Sequence, residues 1–176
     1  SDSIYQKFND ILNLTTIYGI EYLPQPGSGW LVQPYMTENV VSVINSGVAL
    51  MNYIGHGSPT TLADEKIIDM DRDLSLIEDP CNAIWVVGTC KFGWYDNEDS
   101  MTEALLLKPD GAIALIAATR DVSAFPPYHY NFLNKFFNAI SGYIRNENNY
   151  RLGDILKETK NGSPQEDLFI FLVIQQ

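Results

Sequence analysis

Three mostly apolar runs stand out along the chain, at residues 48–54, 83–90 and 112–118. Each is rich in β-branched or small apolar residues, is bounded by turn or polar residues, and is short for a buried helix. Each therefore predicts a strand covered on both faces. Residues 15–23 are β-branched and aromatic and predict a further strand, as does the apolar stretch 168–174 near the end. Residues 24–34 hold three prolines and two glycines and predict a loop.

Between these runs the apolar spacing becomes helical. Ile4, Phe8, Ile11 and Leu12 predict a helix over 4–14 with Ser3 or Asp2 as its N-cap. Thr37 is the expected cap of a helix to about Asn45, with Val40, Val41, Val43 and Ile44 inward and Gly47 as its stop. Strand 15–23, this helix and strand 48–54 would form a β-α-β unit with parallel strands. Ser100 and Glu103 have capping-box spacing and open a helix to about Leu107. Pro126 and Pro127 open a long helix with Leu133, Phe136, Phe137, Ile140, Tyr143 and Ile144 on one face. A turn at 146–150, a helix over 152–160 and a loop at 161–164 follow.

The strands end in residues that carry chemistry. The first of the three runs leads into Gly55, His56 and Gly57, the second into Thr89 and Cys90, the third into Thr119, Arg120 and Asp121. In open α/β sheets ligands gather outside the carboxyl ends of the strands. If these strands are parallel, His56 and Cys90 project at the same edge, and a thiol within reach of an imidazole is an activated nucleophile. A lone buried cysteine is more often a small hydrophobe; the case rests on the two residues together. His129, among tyrosines in the first turn of the long helix, reads as a packed or surface histidine.

Composition narrows the choice. The chain has 176 residues, enough for one ordinary domain, and a net charge of −11 that argues against a nucleic-acid partner. No stretch approaches the ~20 apolar residues of a membrane span. The other cysteine, Cys81, lies at the far end of the strand that carries Cys90. Nine near-extended residues separate them by about 30 Å, beyond disulfide reach, so Cys90 is expected to be a free thiol. The carboxylates of 69–73 alternate as in a calcium loop, but Leu74 and Pro80 stand where an EF-hand needs glycine and glutamate; a solvated helix start is the better expectation, with a looser calcium site as the alternative. No metal and no cofactor are expected.

The blocks Tyr53-Ile-Gly-His-Gly-Ser58, Thr89-Cys-Lys-Phe92, Ser100-Met-Thr-Glu103, 111–120 and Arg151-Leu-Gly-Asp154 follow one another in an order that resembles the gingipain family of caspase-like cysteine peptidases. Within it, the likeness is greatest to the signal peptidases of Bacteroidetes type IX secretion. The resemblance spans residues 15 to 172. It implies a caspase-like three-layer α/β/α sandwich with a mainly parallel sheet, and a cysteine endopeptidase acting through a thioester. It implies Cys90 as nucleophile, His56 as acid and base, and the N–H groups of Gly57 and Cys90 as oxyanion hole. Phe92, Trp94 and Arg120 are the candidate substrate contacts, although the two rings could equally pack on the sheet and Arg120 could equally pair with Asp121 or a loop acid. A polypeptide substrate, a secreted or cell-surface location, and a further subdomain upstream of a single domain over 1–176 are implied as well. The sequence departs from the family at Leu62, where relatives often carry tryptophan, and at its end, where a Leu-Gly-Asp-Pro turn is expected.

Two other classes fit the residues less well. A caspase-like scaffold without activity that binds partners would be expected to have lost the His–Cys pair, which is retained. A doubly wound nucleotide-binding domain is disfavoured, because no strand end carries a Gly-x-Gly-x-x-Gly or a phosphate loop.

Overall fold

The computed structural model describes residues 2–27, 29, 31–96, 99–122, 126–146, 151–161 and 171–175, with backbone only at 2, 126–130 and 171–175. The chain runs through α1 (Asp2–Phe8), β1 (Gln25–Pro26), β2 (Leu31–Val32), α2 (Pro34–Asn45), β3 (Leu50–Ile54), β4 (Thr61–Leu62), β5 (Ile68–Asp69), α3 (Met70–Asp73), β6 (Ile84–Gly88), α4 (Met101–Leu107), β7 (Ala114–Ala118), α5 (Pro126–Arg145), α6 (Leu152–Lys160) and β8 (Phe171–Gln175). It divides into two compact units, one of Tyr18–Val122 with Phe169–Gln176, the other of Ser1–Ile17 with Ser123–Leu168.

The first unit is a mixed α/β structure around a sheet of order β3-β6-β7-β8. The three apolar runs are its three parallel strands: β6 lies between β3 and β7 and pairs in parallel with both. β8 adds an antiparallel edge beside β7. All five residues of β7 are buried, as are Trp85, Val86 and Val87 of β6, which is why these segments read as unbroken apolar runs. The connection from β6 to β7 is made by α4, whose start has the expected capping box. Ser100 accepts from the Glu103 N–H, and the Glu103 carboxylate accepts from the Ser100 N–H.

Two expectations fail for visible reasons. Residues 15–23 form no strand; the segment makes a single 3-10 turn at Gly19–Glu21. The Gln33 amide donates to the carbonyls of Gly19 and Tyr22, both at 3.1 Å, so a side chain and a local turn satisfy a backbone that has no ladder to join. The expected β-α-β unit is therefore absent. Helix α2 begins at Pro34, a residue suited to the first helical position, not at Thr37. The Thr37 hydroxyl donates instead to the Ile67 carbonyl at 2.7 Å. Gly47 ends that region as expected, at φ 89°.

In the 69–73 stretch Asp69 caps α3, accepting from the Asp71 N–H at 3.1 Å. Asp73 is not solvated: it is buried, pairs with Arg72 at 2.6 Å and accepts from the Asp69 N–H at 2.8 Å. Among the described residues no three His, Cys, Asp or Glu side chains gather as a metal site would require.

The second unit consists of α1, α5 and α6. Helix α1 stops at Phe8, short of the expected 14, and the Ile11 and Leu12 N–H groups both turn back to the Phe8 carbonyl, at 3.0 and 2.9 Å. Phe8 stacks on Phe137 of α5 at 5.7 Å between ring centroids; of the face the spacing predicted, Leu133, Phe136 and Phe137 are buried, Ile140 and Tyr143 half-buried, and Ile144 exposed. Tyr143 of α5 bonds Glu158 of α6. Of the predicted turn at 146–150, loop at 161–164 and last strand at 168–174, residues 147–150, 162–164 and 168–170 lie outside the described residues. Among the described residues no helix is long and apolar enough to cross a membrane.

Candidate active site

The register of the sheet sets the site. β3 and β6 are paired residue for residue up to Ile54 opposite Gly88. Each strand then runs two residues further, to His56 and to Cys90. The Gly55 N–H still reaches the Gly88 carbonyl at 3.4 Å, so the two chains leave the sheet side by side. His56 and Cys90 thus stand level at neighbouring strand ends, and Arg120 stands two residues beyond the end of β7.

The histidine sits on a tight fold-back. Gly57 bridges Leu62 of β4 in an antiparallel pair closed by Ser58 N–H to Thr61 O at 2.9 Å and Ala63 N–H to His56 O at 2.7 Å. In this arrangement the N–H of Gly57 takes no part in the bridge. The Ser58 hydroxyl pins the turn, accepting from the N–H groups of Thr60 and Thr61. His56 itself is exposed. Tyr53 folds back over Gly55, where a Cβ would lie 2.4 Å from its hydroxyl oxygen, and donates to the His56 carbonyl at 2.8 Å. Burial first, and then the Glu65 and Asp64 carboxylates, push the Tyr53 phenol well above its ordinary range.

The two loops meet at Gly57. A Cβ there would lie 2.7 Å from Thr89 Oγ1 and 2.8 Å from the Thr61 carbonyl, so the close approach needs glycine. Thr89 is fully buried, and its hydroxyl has no hydrogen-bond partner among the described residues.

Beyond it, Cys90 is half-buried, its Sγ accepting from the Val122 N–H at 3.5 Å and donating to the Val122 carbonyl at 3.7 Å. Lys91 takes up a left-handed φ of 55°, uncommon for a residue with a side chain, and turns the chain sharply after the thiol. Its N–H bonds the Arg120 carbonyl at 3.1 Å, and the Gly93 N–H bonds the Ala118 carbonyl at 3.0 Å, fastening this loop to the end of β7. The Lys91 ammonium pairs with Asp121 at 2.9 Å and lies 4.9 Å from the centre of the Trp94 ring.

Of the residues marked in the sequence, His56 and Cys90 each stand two residues beyond the paired ends of neighbouring strands, and Gly57 packs against Thr89, the residue before Cys90. Trp94 is half-buried, with the Lys91 ammonium over its ring. Phe92 is fully buried, so of the two roles open to its ring it takes the packing one, and it is a core residue and not a surface contact. Arg120 pairs with a loop acid, Asp96, through two bonds of 2.9 and 2.7 Å, while Asp121 belongs to Lys91. His129 lies in the first turn of α5, and its side chain is outside the described residues. Leu62, the departure from the family pattern, is buried. Tyr53 and Thr89 stand in the sequence as the first residues of their motif blocks, with no role assigned; the nearness of Tyr53 to His56 was the one signal that could have drawn notice.

The profile of peptidase family C25 matches residues 1–170. The chain belongs to that family. Among solved structures it is similar to the Arg-specific cysteine proteinase gingipain R, at 22% identity and a TM-score of 0.60 over 77% of this chain and 30% of that one. It is also similar to the complex of the pro- and mature domains of RgpB from Porphyromonas gingivalis, at 20% identity and a TM-score of 0.55 over 70% of this chain and 30% of that one. These likenesses show that the family C25 chain has the gingipain fold, the caspase-like α/β class that the motif order implied. This chain spans less than a third of the length of those relatives. No curated protein sequence matches it.

Proposed function

We propose that this family C25 chain carries the thiol centre of a gingipain-type cysteine endopeptidase, with Cys90 as nucleophile and His56 as general acid and base. The observation that supports this most is the parallel register that leaves His56 and Cys90 level at adjacent strand ends. The Cys90 proton passes to His56 as sulfur attacks the scissile carbonyl, giving a tetrahedral oxyanion. The C–N bond then breaks, His56 returns the proton to the leaving amine, and a thioester remains. Water, deprotonated by His56, attacks the thioester; the C–S bond breaks and the thiol is restored. An amine can take the place of water, which makes the same centre a transpeptidase.

The N–H groups of Gly57 and Cys90 are the proposed oxyanion donors. The geometry of the Gly57 bridge, which does not use that N–H, supports the first of them. One such donor contributes about 2.7–4 kcal/mol in a comparable site. Trp94 and Arg120 border the substrate, and Phe92 supports the Cys90 loop from within the core. The substrate is a polypeptide, and the place of action, by likeness of the motif order, is the processing of secreted proteins in type IX secretion, at or outside the cell surface.

The rate of Cys90 alkylation against pH, read by mass spectrometry with Cys81 as internal control and repeated in His56→Ala, tests this reading. Fast labelling with an apparent pKa well below the ~8.5 of a free thiol, lost in the variant, is the expected result. Labelling of Cys90 no faster than that of Cys81 would leave a scaffold that binds partners without cleaving them.

A further inference from the structure

One peptide group joins the histidine to the proposed oxyanion hole. Its N–H is that of Gly57 and its carbonyl is that of His56. The carbonyl accepts two hydrogen bonds, from the Ala63 N–H at 2.7 Å and from the Tyr53 hydroxyl at 2.8 Å. The amide is planar and conjugated, so pinning the carbonyl fixes the direction of the N–H. Bonds accepted by the oxygen also draw electron density from the nitrogen and strengthen the N–H as a donor, as in any hydrogen-bonded chain.

The Ala63 contact is part of the backbone bridge and is available to any side chain at position 63. The Tyr53 contact depends on one hydroxyl. Its place is built with some strictness, since the phenol folds back on its own chain across Gly55, where no Cβ fits. With its phenol held protonated by burial and by the neighbouring Glu65 and Asp64, Tyr53 stays a donor over the working range of a thiol peptidase.

We propose that Tyr53 is a positioning residue of the oxyanion hole, acting through the His56–Gly57 peptide group on the Gly57 N–H. This rests on the thiol-centre reading above, and its test separates the two. Tyr53→Phe, made in the full chain, keeps the ring and removes only the hydroxyl. Two probes of Cys90 are compared. A peptide aldehyde, of the P1 series that the unaltered protein binds best, adds the thiol across its C=O and places the resulting oxygen in the oxyanion position. Iodoacetamide alkylates the same sulfur with loss of iodide and forms no oxyanion.

The expected result is an aldehyde Kd raised, and a kcat lowered, by about two- to eightfold, which is a 10–30% share of the free energy one oxyanion donor supplies. The rate of alkylation against pH stays unchanged. Gly55→Ala, which drives the hydroxyl away, gives the same selective loss. Aldehyde affinity equal to that of the unaltered protein overturns the inference. So does an equal fall with both probes, which would make Tyr53 a prop for the whole loop. Failure of the thiol-centre reading looks different, because Cys90 of the unaltered protein then reacts no faster than Cys81.

Discussion

At Gly57 a single missing side chain decides how near the histidine and cysteine loops come. Its neighbours at 2.7 and 2.8 Å are the Thr89 hydroxyl and the Thr61 carbonyl, the second of them backbone that cannot swing aside. Gly57→Ala is expected to push the His56 loop off the Cys90 loop, costing about 1–3 kcal/mol of stability by overpacking and at least about tenfold in kcat through the misplaced donor. Thermal melts and steady-state kinetics check the two effects. Arg120 offers a pH-dependent counterpart. Its two hydrogen bonds hold the Asp96 carboxyl below the ordinary carboxylate range. A depressed carboxylate stabilises the fold above its unfolded pKa, about 3.9, and that contribution disappears as pH falls through the folded value. Arg120→Ala should thus raise the Asp96 pKa into the ordinary range by NMR titration. Its melting temperature should fall below that of the unaltered chain at neutral pH and match it near about pH 2. Both groups are exposed, so the difference at neutral pH is small.

Among the elements, α4 has the clearest dependence on one residue. Ser100 is fully buried and closes both halves of the capping box, so Ser100→Ala removes a cap and leaves the first-turn N–H of Glu103 without its partner. About 1 kcal/mol of destabilisation is expected, measurable by urea denaturation, and Ser100→Thr should recover most of it. This box was legible in the sequence because capping is a local code of two residues three apart. Two of the three parallel strands were legible for a related reason: β6 and β7 are buried, so no polar residue interrupts them before Thr89 and Thr119. β3, expected to be covered on both faces as well, is instead an edge strand with Asn52 and Ile54 exposed. The strand expected at 15–23 was read from the same β-branched composition. What it lacks is a neighbour, and the bonds that replace one come from Gln33, a residue no periodicity could have paired with Gly19 and Tyr22. Side-chain partners were the least legible part of the site. Arg120 had two nearby acids to choose from, and only the turn at Lys91, with its left-handed backbone, gives Asp121 to the lysine and leaves Asp96 for the arginine.

Across the whole molecule the strongest long-range feature is charge. Twenty-two acidic against eleven basic residues give −11, and the site's own cations, Lys91 and Arg120, are both paired with carboxylates. An approaching peptide therefore meets a negative field that local cations do little to offset. Such a field raises the encounter rate of cationic partners and lowers that of anionic ones, in proportion to its reach. That reach shrinks from about 30 Å at 0.01 M salt to about 8 Å at 0.15 M. For the proposed endopeptidase, kcat/KM on a basic peptide should fall over this range of salt, and kcat/KM on an acidic peptide with the same residues around the scissile bond should rise. The value of kcat should change for neither, because the chemical step at Cys90 takes place after encounter. A salt response of the same sign for both peptides would place the effect on the protein's conformation and not on steering.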